Sequence, residues 1–313
     1  MTIRIFIDGA VGTTGLEIRD RLAGRRDIVL VTLPDHLRKD AAARADALNA
    51  ADGVILCLPD DAARDAVAMV RNPTVRIVDA STAHRTMDGW EYGFAELEPD
   101  RAGRLAAATR ISNPGCYPTG FLALVRPLVR AGILPADRTV AVAATSGYSG
   151  GGKDMIAAFE DPAAPAATDT GYRLYALGLG HKHVREMQVH GGLARPPIFL
   201  PAVARSYRGM LVEVPLAIDD LAPGTTAAHV QDALAQAYAG AALVSVATDL
   251  PSVLDIERTA GTDRLELFVY ADPAAGQLRL IGALDNLGKG AAGAAVQNMN
   301  LACGLPETEG LRL

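Results

Sequence analysis

Ile3-Arg-Ile-Phe-Ile-Asp8 followed by Gly9-Ala-Val-Gly12-Thr-Thr-Gly15 is the stretch on which the fold turns. Ile3, Ile5 and Ile7 recur at every second position and the run stops at Asp8-Gly9, the pattern of a strand that ends in a turn. From Thr13 to Leu22, Leu16, Ile18 and Leu22 are spaced among Glu17, Arg19, Asp20 and Arg21, the pattern of an amphipathic helix. A strand, a glycine-rich turn and a helix start bring backbone N–H groups and the positive end of a helix dipole to one point. A pyrophosphate is bound in such a place. The spacing is G-x-x-G-x-x-G rather than G-x-G-x-x-G, so the turn alone is a weak signal; a tight strand–helix connection without a ligand is the alternative, which the strand before and the helix after disfavour.

Outward from this stretch the pattern repeats. Ile28-Val-Leu-Val-Thr-Leu33, Val54-Ile-Leu-Cys-Leu58 and Val75-Arg-Ile-Val-Asp79 are apolar runs suited to strands buried on both faces of a parallel sheet, with an Ala-rich helix between the last two. Strand and helix in alternation predict an α/β chain with a Rossmann-type, doubly wound first domain over residues 1–115. Beyond it a helix is predicted over 118–130 and another near 226–239. Thr139–Ala144, Ile198–Leu200, Met210–Val214, Leu265–Tyr270 and Leu278–Ile281 read as strands of a second, α+β domain over 116–289 with a mostly antiparallel sheet. Residues 145–180 read as a long Gly/Pro/Ala loop. The end, 290–313, reads as a helix of small residues returning to the first domain.

Composition narrows the function. The chain has 313 residues, half of them hydrophobic, and a net charge of −6, which argues against nucleic acid as the main partner. Apolar stretches are broken by Arg, Asp or Gly long before the roughly 20 residues a membrane span needs. The three cysteines are too few and scattered for a disulfide framework or a zinc site, so no metal is expected and a reducing cytoplasm is the simplest location. Cys57, inside an apolar strand, and Cys303, among small residues, read as structural. Cys116 differs. In Ser112-Asn-Pro-Gly-Cys-Tyr-Pro-Thr119, Pro and Gly build a sharp turn and Pro118 suits the first turn of a helix. Cys116 then sits at a helix N-terminus, where a thiolate is favoured. A nucleophilic cysteine beside a dinucleotide fold suits attack on an acyl phosphate followed by hydride reduction of the thioester. After the second strand, Asp35 favours a ribose 2′-OH while Arg38 and Lys39 favour a 2′-phosphate, and the residues alone leave NAD or NADP open.

The chain resembles the N-acetyl-γ-glutamyl-phosphate reductases of arginine biosynthesis, in their shorter form, within the semialdehyde dehydrogenases. The marks are Asp8-Gly-Ala-Val-Gly-Thr-Thr-Gly15, Asp79-Ala-Ser-Thr-Ala-His-Arg85, Asn113-Pro-Gly-Cys-Tyr-Pro-Thr119, Ser146-Gly-Tyr-Ser-Gly-Gly-Gly-Lys153, His181-Lys-His183 with Glu186, and Asp285-Asn286 followed by Lys289-Gly-Ala-Ala-Gly293 and Gln297-Asn-Met-Asn300. The resemblance implies reduction of N-acetyl-L-glutamyl 5-phosphate by NADPH, with Cys116 as nucleophile and His181 as acid–base residue. It implies substrate contacts from Asn113, Ser146, Gly147, Ser149, Lys153, His183, Glu186 and Arg208. Cofactor contacts are expected from Gly9, Ala10, Val11, Gly12, Thr13, Thr14, Gly15, Arg38, Lys39, Leu58, Pro59, Ser81 and Asn286. A small-molecule substrate and a homodimer or homotetramer complete the expectation, with no nucleic acid and no membrane. Rival readings are a reductase of aspartyl or carrier-bound aminoadipyl phosphate, and a non-catalytic NADP sensor. The second should lack the Cys-Tyr-Pro-Thr and His-Lys-His segments that this chain carries.

Overall fold

In the first third of the chain the runs of Val, Ile and Leu pair in parallel; Gly53–Leu56 is buried on both faces, whereas Ile28–Val31, at the edge of the sheet, leaves Val29 50 % exposed. The computed structural model describes residues 2–313. In chain order it forms β1 (Ile3–Asp8), α1 (Thr13–Leu22), β2 (Ile28–Val31), α2 (Ala41–Ala50), β3 (Gly53–Leu56), α3 (Asp60–Met69), β4 (Arg76–Asp79), β5 (Glu91–Tyr92), α4 (Arg101–Ala107) and β6 (Arg110–Ser112). These strands make a parallel sheet in the order β2-β1-β3-β4-β6-β5. Because β2 and β3 flank β1, the connections diverge at the C-terminal end of β1. That is the switch point where doubly wound sheets take ligands.

There follow α5 (Cys116–Arg130), β7 (Ala141–Gly147), α6 (Gly152–Glu160), β8 (Tyr172–Leu174), α7 (Lys182–Gly191), β9 (Ile198–Ala204), β10 (Met210–Ala217), α8 (Ala227–Ala237), β11 (Val244–Val246), β12 (Leu265–Asp272), β13 (Gln277–Leu284), a π-helical turn (Gly288–Ala292) and α9 (Gly293–Ala302). The second sheet has the order β11-β12-β13-β10-β7-β9-β8. Four of its pairings are antiparallel, and β7–β9 and β11–β12 are parallel. The stretch 145–180 is not one loop: it holds α6 and the edge strand β8. Seven glycines and the Ala/Pro segment 161–168 hide both elements from a composition reading.

The chain divides into two units. One holds the chain up to Ala95, Asp100–Pro114 and Ala291–Leu311; the other holds Glu96–Pro99, Gly115–Gly290 and Arg312–Leu313. In the first, α9 packs on β3, β4, α1 and α4, placing Val296 and Met299 in one core with Ile5, Ile18, Ile55 and Val78. Gly53 on β3 makes room for α9: a Cβ there would stand 2.5 Å from Met299 Sδ. No helix among the described residues is long and apolar enough to cross a membrane.

Candidate active site and cofactor cleft

In the second unit, Gly115 caps α5 in an extended conformation without a side-chain bond, so Cys116 opens the helix at its positive end. Glu186, 2 % exposed, accepts Gly115 N–H at 2.8 Å and ties α7 to the residue before Cys116. Cys116 itself is half-buried. Burial pushes the Cys57 thiol up to about 12, with Asp79 and Asp8 adding, and pushes Cys303 up to about 11.

His181 and His183 do not lie on an extended segment that would give them a common face. His181 is the N-cap of α7 and His183 is in its first turn. Their rings nevertheless meet edge to face at 4.7 Å, because His183 N–H donates to His181 Nδ1 at 3.1 Å and curls the chain. With Nδ1 accepting, the neutral His181 ring carries its proton on Nε2. Burial holds this imidazole below the ordinary histidine range; Lys182 adds to the effect and Glu186 opposes it. His183 and Glu186 are both buried.

Two tyrosines complete the cluster. The Tyr117 ring lies 6.2 Å from His181, 5.8 Å from His183 and 5.1 Å from Phe199. Tyr175 donates to the Tyr117 hydroxyl at 3.0 Å, and Tyr117 donates to Ala202 carbonyl at 3.2 Å. Burial pushes the Tyr117 phenol far above its usual range, with Tyr175 and Cys116 adding. Tyr175 is pushed up to about 12, chiefly by burial. Sequence reasoning names neither as a site residue. Tyr117 is hidden inside the cysteine motif, and Tyr175 falls in the stretch read as loop.

The glycine-rich segment after β7 differs from an open anion nest. The N–H groups of Gly147, Tyr148 and Ser149 donate to the carbonyls of Gly209, Ser206 and Tyr207 at 2.8, 2.9 and 3.1 Å. Gly147 must be glycine, since a Cβ would stand 2.8 Å from Arg208 Cα. Ser146 and Ser149 are buried, and Lys153 is exposed in the first turn of α6, whose N-cap Gly151 offers no side chain. Asn286, expected at the cofactor, belongs to this unit: its amide donates to Ser149 Oγ and accepts Gly209 N–H, each at 2.9 Å. Arg208 Nε pairs with buried Asp285 at 3.1 Å.

In the first unit, Gly9 adopts φ +87°, and a Cβ there would stand 2.2 Å from Cys57 carbonyl oxygen; at Gly15 it would stand 2.6 Å from Gly9 carbonyl oxygen. The turn thus keeps its backbone bare. Beside it lies a cleft of about 700 Å³, lined by Gly9, Ala10 and Val11, by Leu58, and by Arg19, Arg38, Lys39 and Arg44. Gly12 is the N-cap of α1, which Thr13 and Thr14 begin. Arg38 meets exposed Asp35 at 3.3 Å, while Arg44 is bound to buried Asp8 at 2.8 Å. Pro59 caps α3. Ser81 is buried on Asp79, to which it donates its N–H at 2.9 Å and its hydroxyl at 2.7 Å. Asn113 is held on all sides within this unit: its N–H by Asp79 carbonyl, its carbonyl by Arg85, and its amide by Ala291 carbonyl and Asn298.

Residues 116–286 match the family described as semialdehyde dehydrogenase, dimerisation domain. The chain is 54 % identical over 307 residues to a Rhizobium johnstonii protein named N-acetyl-gamma-glutamyl-phosphate reductase, covering 96 % of this chain and 99 % of that one. It is 52 % identical over 304 residues to a protein of the same name from Sinorhizobium fredii, with the same coverage. Among solved structures, aspartate semialdehyde dehydrogenase II of Vibrio cholerae, complexed with ASA, superposes with a TM-score of 0.73 at 15 % identity, over 97 % of this chain and 99 % of that one. Aspartate semialdehyde dehydrogenase of Francisella tularensis gives 0.68 at 12 % identity, over 94 % and 98 %. At such identities the structural likeness speaks for the fold.

Proposed function

Because the chain belongs to the N-acetyl-gamma-glutamyl-phosphate reductase family, we propose that it reduces N-acetyl-L-glutamyl 5-phosphate to N-acetyl-L-glutamate 5-semialdehyde with NADPH, releasing phosphate, in arginine biosynthesis. The observation that carries the reading is Cys116 at the start of α5, with Glu186 on its preceding residue and the His181–His183 pair in the same cluster.

The Cys116 thiolate, favoured by the helix start, attacks the acyl carbon; the bond to phosphate oxygen breaks and a thioester remains. The first unit's cleft would hold the dinucleotide, whose chemistry when bound would be hydride donation at the thioester. The residues there fit it: a bare turn at the end of β1, and Arg38 and Lys39 for a 2′-phosphate. Gly12, Thr13, Thr14 and Gly15 would present the α1 N-terminus to the pyrophosphate, with Leu58, Pro59 and Ser81 as the remaining proposed contacts in this unit; Asn286, in the second unit, is proposed on the family resemblance. His181 donates from Nε2 to the oxygen that gains charge, and that donation steadies the tetrahedral species before sulfur leaves. His183, Glu186 and Arg208 orient the substrate, with Asn113 fixing the chain ahead of Cys116. Ser146 and Gly147 at the end of β7, Ser149 after them and Lys153 in the first turn of α6 are the proposed contacts of the leaving phosphate. Family membership also supports a homo-oligomer, a dimer or a tetramer. The free cysteines suit the cytoplasm.

The test is NADP+ reduction by N-acetylglutamate semialdehyde with phosphate, run beside aspartate semialdehyde. Preference for the acetylated substrate is expected. Faster turnover of aspartate semialdehyde assigns the chain to the other reaction.

A further inference from the structure

Lys289 and Glu96 form a buried ion pair that the chemistry above does not use. Their side chains are 1 % and 7 % exposed. The ammonium reaches both carboxylate oxygens at 2.8 Å. Such a pair adds little net stability, because desolvating two charges offsets most of their attraction, and its best-attested use is to fix one arrangement among several.

What it fixes here is a turn. Lys289 lies in the π-helical turn Gly288–Ala292, a wide geometry that is rare and concentrated at functional sites. Asp285 starts this turn: its Oδ1 accepts Leu287 N–H at 2.8 Å and its carbonyl accepts Gly290 N–H at 3.0 Å. Gly290 then passes so near Cys116 that a Cβ on it would stand 2.9 Å from Cys116 Cβ and 3.3 Å from its Cα. Glu96 comes from the short excursion Glu96–Pro99, which also grips α5. Glu98 pairs with Arg126 at 2.6 Å and Arg130 at 3.0 Å, and Leu97 carbonyl accepts from Arg130 at 2.9 Å. One segment therefore holds both the helix that Cys116 begins and the turn that lies against Cys116.

We propose that Lys289 and Glu96 are a positioning pair, which holds the Gly290 backbone against Cys116 and so fixes the sulfur for attack. The proposal rests on Cys116 being the nucleophile. Lys289→Met, Glu96→Leu and the double variant are compared with wild type by thermal melting, steady-state kinetics and the rate at which iodoacetamide alkylates Cys116. Each single variant removes one half of the buried pair, and both melting temperature and kcat fall. In the double variant the melting temperature recovers. Its kcat is expected to stay down about tenfold or more with KM changed less than about threefold, and Cys116 alkylation to slow by a similar factor. Recovery of kcat and alkylation together with melting temperature overturns the proposal, since the pair would then be structural only. Gly290→Ala is the second line, should the charge variants not fold: it is expected to lower kcat, and wild-type kcat and alkylation in it overturn the proposal. Turnover by Cys116→Ser would instead sink the nucleophile assignment itself.

Discussion

Two residues are proposed to carry the chemistry, and their settings make separate predictions. Cys116 lies at a helix start, whereas burial raises Cys57 to about 12 and Cys303 to about 11. Iodoacetamide should therefore label Cys116 first, with protection by substrate, and Cys116→Ser should abolish turnover while leaving NADPH binding intact; equal labelling of the three removes the case for an activated thiol. His181 caps α7 through Nδ1. Asn is also a strong N-cap, so His181→Asn should keep the helix and lower kcat by roughly 10²–10⁴. The pH profile gives an independent check. His181 is depressed mainly by burial, so the neutral ring persists to lower pH than usual and the acid limb should fall below the ordinary histidine range. Glu186 acts in the opposite sense, favouring imidazolium, so Glu186→Gln should move that limb further to acid. A limb that stays in place assigns it to another group. Sequence alone marks these residues by type and spacing. It does not reveal that His181 is a cap, because nothing local distinguishes an extended His-Lys-His from a helix start.

At the scale of elements, legibility follows locality. β1 and α1 are predicted to the residue because alternation and helical spacing are decided within ten positions. α6 and β8 are missed because their order comes from pairing with distant chain: β8 on β9, and the Gly147–Ser149 backbone on residues 206–209. The same pairing commits the N–H groups of Gly147, Tyr148 and Ser149 to carbonyls. The β1–α1 turn is local, and so are its predictions. Gly9→Ala must place a Cβ against Cys57 carbonyl oxygen at φ +87°. It should cost roughly 2 kcal/mol or more and weaken dinucleotide binding, read by thermal melting and NADPH titration. Arg38→Ala with Lys39→Ala should raise KM for NADPH by about tenfold or more while sparing NADH. Arg38 is the better candidate of the cleft's arginines, because Asp35 beside it is exposed whereas Arg44 is committed to buried Asp8. Equal use of NADH by the wild type would end the 2′-phosphate assignment.

At the scale of the whole molecule, the second sheet has one face that the helices do not cover. Phe199 on β9 points to the α5–α7 side, where it meets Tyr117 and His181. Its neighbours Ile198 and Leu200 therefore point the other way, and they are 42 % and 47 % exposed. Register extends this face: Ala141 and Ala143 of β7 lie opposite Ile198 and Leu200, and Leu174 of β8 lies opposite Ala202, two residues from Leu200. Leu174 and Tyr172 are 58 % and 53 % exposed. Toward β10 and β13 the face turns polar, with Arg279 bound to Glu213 at 2.7 Å. An apolar centre with a charged margin is the anatomy of an interface, and it lies inside the segment that matches a dimerisation domain. The proposed homo-oligomer is expected to form through this face. Leu200→Arg puts a charge at its centre without touching the core, so each protomer should fold while association weakens. Light scattering at micromolar concentration should give an oligomer for wild type and a monomer for the variant. The melting temperature should rise with protein concentration only for wild type, since association stabilises the folded state by mass action. An unchanged mass for Leu200→Arg would move the interface to another surface, whereas a wild-type monomer would remove the oligomer from the proposal.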